Sequence, residues 1–278
     1  MSSSEVGEGG CRTLAVCADD FGLSAGIDRV VLALAARGRL SAISCLANLE
    51  RWPAAAVALR DLPRGVEVGL HLNLTEGRPC SAALAQVWPT LPALPRLIVR
   101  AHLRRLPLAA LREEIRAQLE AFVAGVGRGP DFIDGHQHVH HLPGIREQVI
   151  DAAAAITPRP PLRATGQVRG PGFAVKRLLI EATGGWSLGR VLRERAWPHN
   201  TALLGVYDFA ATDYGALMRR WLASVPPQGA LLFCHPGDST DPGDPIAAAR
   251  RREAAYLGSD AFAHDLRAAG VSLGTVWR

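Results

Sequence analysis

The chain has 278 residues, 48% of them hydrophobic and 21% charged, with a formal net charge of +5 at pH 7. That length suits one large α/β domain or two small ones, and no run approaches eighteen uninterrupted apolar residues, so a membrane-spanning helix is not expected. Lys176 is the only lysine, and the arginines are spread from Arg12 to Arg278 beside acids such as Glu113, Glu114 and Glu253; solvated helix faces are expected rather than a nucleic-acid surface, with peripheral membrane contact left open.

The first residues, MSSSEVGEGGC, are small and polar and read as a flexible tail over 1–11, not a signal peptide, leaving 12–278 as the folded domain. TLAVCA (13–18) reads as a buried strand and DRVVLALAARG (28–38) as a helix stopped by Gly38. SAISCLAN (41–48) is a second strand, followed by the helical PAAAVALRDL (53–62). VEVGLHLNL (66–74) alternates, with Val66, Val68, Leu70, Leu72 and Leu74 on one side and Glu67, Gly69, His71 and Asn73 on the other. Residues 77–111 hold five prolines, at 79, 89, 92, 95 and 107, and are expected to form an irregular insertion or lid.

REEIRAQLEAFVAG (112–125) is an amphipathic helix ending at Gly125, and PDFIDGH supplies a fourth strand. IREQVIDAAAAI (145–156) is helical, PLRAT (161–165) a weak strand, and 174–195 helical again. A strand around ALLGVYD (202–208), a helix at ALMRRWLASV (216–225) and the strand and turn GALLFCHPG (229–237) follow. Residues 248–269 are helical and VSLGTV (271–276) is the last strand. Strands alternating with helices imply a mainly parallel sheet, and a distorted, TIM-like (β/α) barrel is expected. No G-x-G-x-x-G follows a strand, so a dinucleotide fold lacks its main support. Cys11, Cys17, Cys45, Cys80 and Cys234 are odd in number and never spaced C-x-x-C, which favours a reducing cytoplasm and argues against a zinc–thiolate site.

The chemistry collects at strand ends. Asp19 and Asp20 end the first strand, His71 lies near the end of the third, and Asp134 and His136 end the fourth within DGHQHVHH. His235 ends the strand GALLFCHPG. In a parallel α/β fold these ends open onto one face, where active sites are built. Each residue also has a plainer reading: an Asp pair can cap a helix, and His71 or His235 can simply be hydrogen-bonded in a strand or turn. One Asp and two His without thiolate suit one divalent ion with positions left open. Magnesium and zinc both fit, as do manganese, cobalt and nickel. His138 and His140 alternate with His136 and could face substrate, whereas His141 points elsewhere.

ADDFGLSAGID (18–28), VGLHLNLTEGRP (68–79), DFIDGHQHVHHLPGIR (131–146) and CHPGDSTD (234–241) resemble, in order, the signature blocks of the YdjC-like carbohydrate deacetylases. AARRREAAYLGSDAF (248–262) resembles the family's C-terminal helix. The resemblance implies a distorted barrel that removes an acetyl group from an N-acetylated sugar, a chitooligosaccharide or a GlcNAc-bearing glycolipid such as a hopanoid. It implies Asp20, His71 and His136 as metal ligands, Asp19 as the base, His235 as the general acid, and Arg163 in the substrate groove with His138 nearby. Family members are often dimeric, which keeps a homodimer open. Asp28 stands where many members carry Asn, and 80–110 has no counterpart block.

Amide hydrolysis needs an activated water, a polarised carbonyl and a protonated leaving amine, and this residue set can supply all three. Another barrel amidohydrolase or phosphoesterase would instead show a two-metal centre using His138 or His140. A non-catalytic sugar-binding relative would need neither Asp19 nor His235. Trp52, Trp88 and Trp186 are candidate aromatic platforms for a sugar.

Overall fold

The computed structural model describes residues 11–239 and 243–278. The expected tail over 1–11 lies outside these residues except for Cys11, as do Thr240 and Asp241 of the last signature block.

The sheet is wholly parallel and contains seven strands. They are β1 (Arg12–Phe21), β2 (Ala42–Cys45), β3 (Glu67–Leu72), β4 (Ile133–Gly135), β5 (Leu203–Leu204), β6 (Ala230–Cys234) and β7 (Val271–Leu273). Their order is β4-β3-β2-β1-β6-β5, with β7 paired to the start of β1. Residues 162–168 connect the two edges by single bridges, Ile133 to Leu162 and Val168 to Leu203. The sheet therefore curls into a barrel whose last side is made of isolated bridges, the distorted barrel that the β/α alternation implies.

Two apolar layers hold it. The outward residues of the strands, among them Leu14, Val16, Val68, Leu70, Leu232 and Cys234, pack under the helices in one large core. The inward residues Ala15, Cys17, Ala42, Phe132, Leu231 and Phe233 form a second cluster inside the barrel. The period-2 alternation of each strand thus separates two buried faces rather than a buried and a wet one. The polar side of 66–74 accordingly faces the barrel interior: His71 and Asn73 are buried, and a Cβ on Gly69 would come within 2.4 Å of the Phe132 ring.

Helix α1 (Ala25–Ala36) starts at Ser24, whose Oγ accepts the Ile27 N–H. It is followed by α2 (Trp52–Val57), and residues 77–111 are mostly helical. They contain α3 (Ala82–Val87), α4 (Leu94–His102) and the first residues of α5 (Leu108–Val126). Two of the five prolines sit where a helix tolerates them, Pro95 in the first turn of α4 and Pro107 at the cap of α5, whereas Pro79, Pro89 and Pro92 lie in the non-helical connections. Helix α5 runs past Gly125 to Gly127, which ends it at φ 84°. Gly125 instead lets α2 approach closely, since a Cβ there would meet Ala56 and the Trp52 ring.

Next come α6 (Ile145–Ala154), α7 (Ala174–Ile180) and α8 (Trp186–Glu194), the last two joined by a π-helical turn over Glu181–Gly185. Helix α9 (Tyr214–Ala223) precedes β6. The stretch read as one helix over 248–269 is two, α10 (Ala247–Leu257) and α11 (Asp260–Ala268), divided at Gly258–Ser259. Among the described residues no helix is long and apolar enough to cross a membrane.

Candidate metal and catalytic site

Strand parity delivers the site. Continuing each inward row beyond the apolar cluster gives Asp19 after Ala15 and Cys17, Ser44 after Ala42, and His71 after Gly69. The same rows give Asp134 and His136 after Phe132, and His235 after Leu231 and Phe233. Asp20 would point outward on a regular strand. Its φ of 69°, together with a register shift between β1 and β2 at Ala18–Phe21, turns it back inward. Adjacent aspartates therefore both reach the interior.

Asp20, His71 and His136 converge, each offering a ligand atom with all three within 4.8 Å of one another. Asp20 Oδ1 lies 2.9 Å from His136 Nδ1 and 3.6 Å from His71 Nε2. His71 and Asp134 are paired in register on β3 and β4, and His71 Nδ1 lies 2.6 Å from Asp134 Oδ1. Ser44 Oγ donates to the same oxygen at 2.5 Å. With Nδ1–H given to Asp134, the lone pair of His71 Nε2 is left facing Asp20, the arrangement that metal-binding histidines use. His136 Nε2 is held 3.2 Å from Glu76 Oε1, which leaves its Nδ1 towards Asp20. Two imidazole lone pairs and a carboxylate oxygen so placed repel one another unless protons or a metal cation lie between them. The donor set fits a divalent metal ion.

The charges agree. Burial opposes a proton on His71, yet Asp134 and Asp19 outweigh it and raise the imidazole to about 10. His136 is likewise raised to about 9, burial being overcome by Asp20 and Glu76. Burial alone would raise the Asp20 carboxyl, but Arg250 and His136 hold it well below the usual carboxylate range. For Asp134, burial is overruled by Arg163 and His71, and the carboxyl falls to about 2. The pocket favours positive charge at the point where the three ligand atoms meet.

Asp19 stands beside this cluster, its two oxygens each 2.7 Å from a terminal nitrogen of Arg163. A second acidic group, Cys17, Asp19 and Asp134, is occupied by that guanidinium, which also lies 2.5 Å from Asp134 Oδ2. Arg163 is fully buried and absent from the cavity lining. The groove position that the resemblance implies for it is thus not where it lies, because two internal carboxylates draw its charge beneath the floor.

Across the cavity, His235 sits edge-on to Phe209 and Phe233. Its backbone N–H donates to buried Glu253, which also accepts the Tyr207 hydroxyl. His235 Nδ1 and His138 Nδ1 have no hydrogen-bond partner among the described residues, and both histidines line the cavity. His140 and His141 serve the scaffold: His140 Nε2 pairs with the Arg163 carbonyl at 2.8 Å and His141 Nδ1 with Thr165 Oγ1 at 2.8 Å.

The cavity measures about 500 Å³, with Asp19, Asp20, His71, His136 and His235 in its polar part and Leu23, Leu94, Ile180, Phe209 and Phe233 among its apolar walls. The tryptophans proposed as sugar platforms are elsewhere: Trp52 and Trp88 are buried in the core and Trp186 is on the surface. Tyr207, Phe209 and Phe233 supply the aromatic lining instead.

Sequence reasoning missed Ser44, Glu76 and Arg250. Glu76 lies in the block TEGRP and Arg250 in the block AARRREAAYL, but neither ends a strand, so the strand-end rule passes over them. Arg250 bridges Asp20 Oδ2 at 2.8 Å and Asp244 at 2.8 Å. Asp28, the departure from the usual Asn, accepts from the Gly22 N–H at 2.7 Å and from Arg51 at 3.2 Å and so fastens the loop after β1.

Among known proteins, the chain is similar to the carbohydrate deacetylase of Mus musculus, 34% identical over 148 residues, 51% of this chain and 47% of that protein. It is also similar to the chitooligosaccharide deacetylase of Proteus mirabilis (strain HI4320), 37% identical over 134 residues, 46% of this chain and 49% of that one. The chain spans about half the length of the curated relatives it matches. Among solved structures, a protein of Enterococcus faecalis V583 for which cellobiose-phosphate cleavage has been suggested superposes with a TM-score of 0.74 at 19% identity. The match covers 95% of this chain and 97% of that one, and shows the shared fold. A model described as YdjC-like protein matches residues 13–268, a span that contains every residue of the cavity floor, and the chain belongs to that family.

Proposed function

We propose that the protein is a divalent-cation-dependent N-deacetylase acting on an N-acetylated sugar, a chitooligosaccharide or a GlcNAc-bearing glycolipid. The observation that carries this reading is the meeting of Asp20, His71 and His136 at one point of a cavity that Asp19 and His235 also enter. The names of the curated relatives, carbohydrate and chitooligosaccharide deacetylase, support it.

Asp20, His71 and His136 would hold one ion, magnesium or zinc, which when bound would supply Lewis-acid polarisation of the acetyl carbonyl and acidify water. Every other task falls to the chain. Asp134 fixes the His71 tautomer and Glu76 that of His136. Asp19 takes the proton of the attacking water, its carboxylate held in one orientation by Arg163. His235 gives a proton to the departing amine, and the apolar walls keep bulk water from the reacting carbonyl. His138, edge-on to Phe233 and part of the cavity lining, would orient the sugar. A two-metal reading has less support, because Arg163 fills the neighbouring acidic group and His140 is bound to the scaffold. The five free cysteines suit a reducing compartment, and we assign the protein to the cytoplasm on that ground.

The test is acetate release from N,N′-diacetylchitobiose by metal-reconstituted protein, with Asp19→Asn alongside. Release by the wild type and its loss in the variant are expected. If one metal binds and no acetate appears from this or any lipid-linked N-acetyl sugar, the deacetylase reading fails.

A further inference from the structure

The second half of the chain leaves a row of large apolar side chains in solvent. Val175 is 73% exposed, Leu178 53%, Leu179 58% and Trp186 52%. With exposed Ala182, positions 175, 178, 179 and 182 have the spacing of one helical face along α7 and into the turn that follows it, and Trp186 stands just beyond the kink at Gly184 as the first residue of α8. Helix α7 buries none of its own residues. Its other side reaches the cavity, where Lys176 and Ile180 form part of the lining.

Helix α4 also contributes to that cavity, through Leu94, and it too presents apolar side chains outward: Val99 and Leu103 are each 56% exposed. Around them stand Arg96, Arg100, Arg104 and Arg105, with no acidic residue anywhere from 94 to 105. Among the described residues no carboxylate lies within ion-pair distance of these four arginines.

We propose that the stripe on α7–α8 and the arginines of α4 form a docking surface for an anionic lipid bilayer. Apolar side chains flanked by unpaired cations are what an interfacial helix uses to enter the headgroup region of a negatively charged leaflet. A second copy of the chain fits less well, because α4 and the turn after it offer four arginines and no acidic residue between 94 and 105 to receive a partner's cations. Since α4 and α7 are walls of the cavity, docking would bring the cavity to the lipid surface. A sugar carried on a lipid would then reach the site without leaving the membrane, a consequence that rests on the deacetylase reading.

The experiment is co-sedimentation of the full chain with vesicles of phosphatidylcholine containing phosphatidylglycerol, against vesicles of phosphatidylcholine alone. A parallel measurement follows quenching of Trp186 by brominated lipid, with Trp186→Phe as control. Binding to the anionic vesicles that weakens with salt is expected, together with Trp186 quenching. The double variant Leu178→Glu/Leu179→Glu should lower partitioning by about tenfold or more while leaving acetate release from soluble diacetylchitobiose unchanged. Equal partitioning of variant and wild type would overturn the proposal. So would absence of vesicle binding, or a dimer in sedimentation velocity that the double variant dissociates. Vesicle binding by a protein that releases no acetate from any N-acetyl sugar would uphold the docking surface and count against the deacetylase reading alone.

Discussion

Arg163 and Asp19 form a buried bidentate ion pair, Nη1 and Nη2 each 2.7 Å from a carboxylate oxygen, with side-chain exposures of 0% and 3%. The same guanidinium lies 2.5 Å from Asp134, and Asp134 in turn holds His71. One cation beneath the floor therefore orients both the carboxylate proposed as base and the partner of a proposed metal ligand. Arg163 acts as a positioning residue.

Replacing it should show this. Arg163→Met leaves two buried carboxylates without their counter-charge, and we expect about 3–5 kcal/mol of lost stability in urea denaturation. Arg163→Lys restores the charge without the planar fork and should recover only part of it. A loss below about 1 kcal/mol for the Met variant would mean that the pair is not integral to the fold.

The pairing of His71 with Asp134 leads to a metal-affinity prediction. Asp134→Asn keeps an acceptor for the Nδ1–H of His71 but loses the charge that strengthens the imidazole as a donor. The expected result is about 10–100-fold weaker metal binding in competition with a chelator. Unchanged affinity in the Asn variant would place the ion away from His71.

Glu253 connects pH to stability. Burial raises its carboxyl to about 7, against the opposing pull of Tyr207, the His235 N–H and Arg250. Because its folded-state pKa is raised, the native protein holds this proton more tightly than the unfolded chain. The stabilisation is complete below the unfolded value, near 4.5, and is lost as pH rises through 7. A shift of this size corresponds to about 3 kcal/mol. Glu253→Gln removes the titration, so its stability relative to wild type should improve between pH 5 and pH 8. A constant difference across that range would contradict the assignment.

Much of this site follows from strand parity, and parity is written in the sequence. Once Ala15 and Cys17 are known to face inward, Asp19 must, and the same counting places His71, Asp134, His136 and His235. What parity cannot give is the exception to it. Nothing in CADDF announces that Asp20 adopts a left-handed conformation and joins its neighbour inside. Nor does a hydrophobic pattern tell an arginine that faces a cavity from one neutralised beneath it, as Arg163 is, since the difference lies in carboxylates distant in sequence. The 77–111 segment is hard to read for another reason: prolines mark helix starts as readily as irregular loops, and here Pro95 and Pro107 do the first while Pro79, Pro89 and Pro92 do the second.

His235 provides the sharpest test of the chemistry. Burial lowers its imidazole, Asp20 and Asp19 pull it back, Arg250 opposes them, and it settles at about 4. In the resting site it is neutral, so in the proposed role it would have to gain a proton during turnover before giving one to the amine. That need depends on the leaving group. An amine departing from a sugar requires protonation, whereas a nitrophenolate leaving from an aryl acetate does not. His235→Asn should therefore reduce kcat/KM on an N-acetylated sugar by about 10²–10⁴ and reduce hydrolysis of p-nitrophenyl acetate far less. Asp19→Asn, which removes the proposed base that either substrate would need, should depress both. Equal losses on the two substrates in His235→Asn would show that this histidine shapes the cavity without delivering the proton.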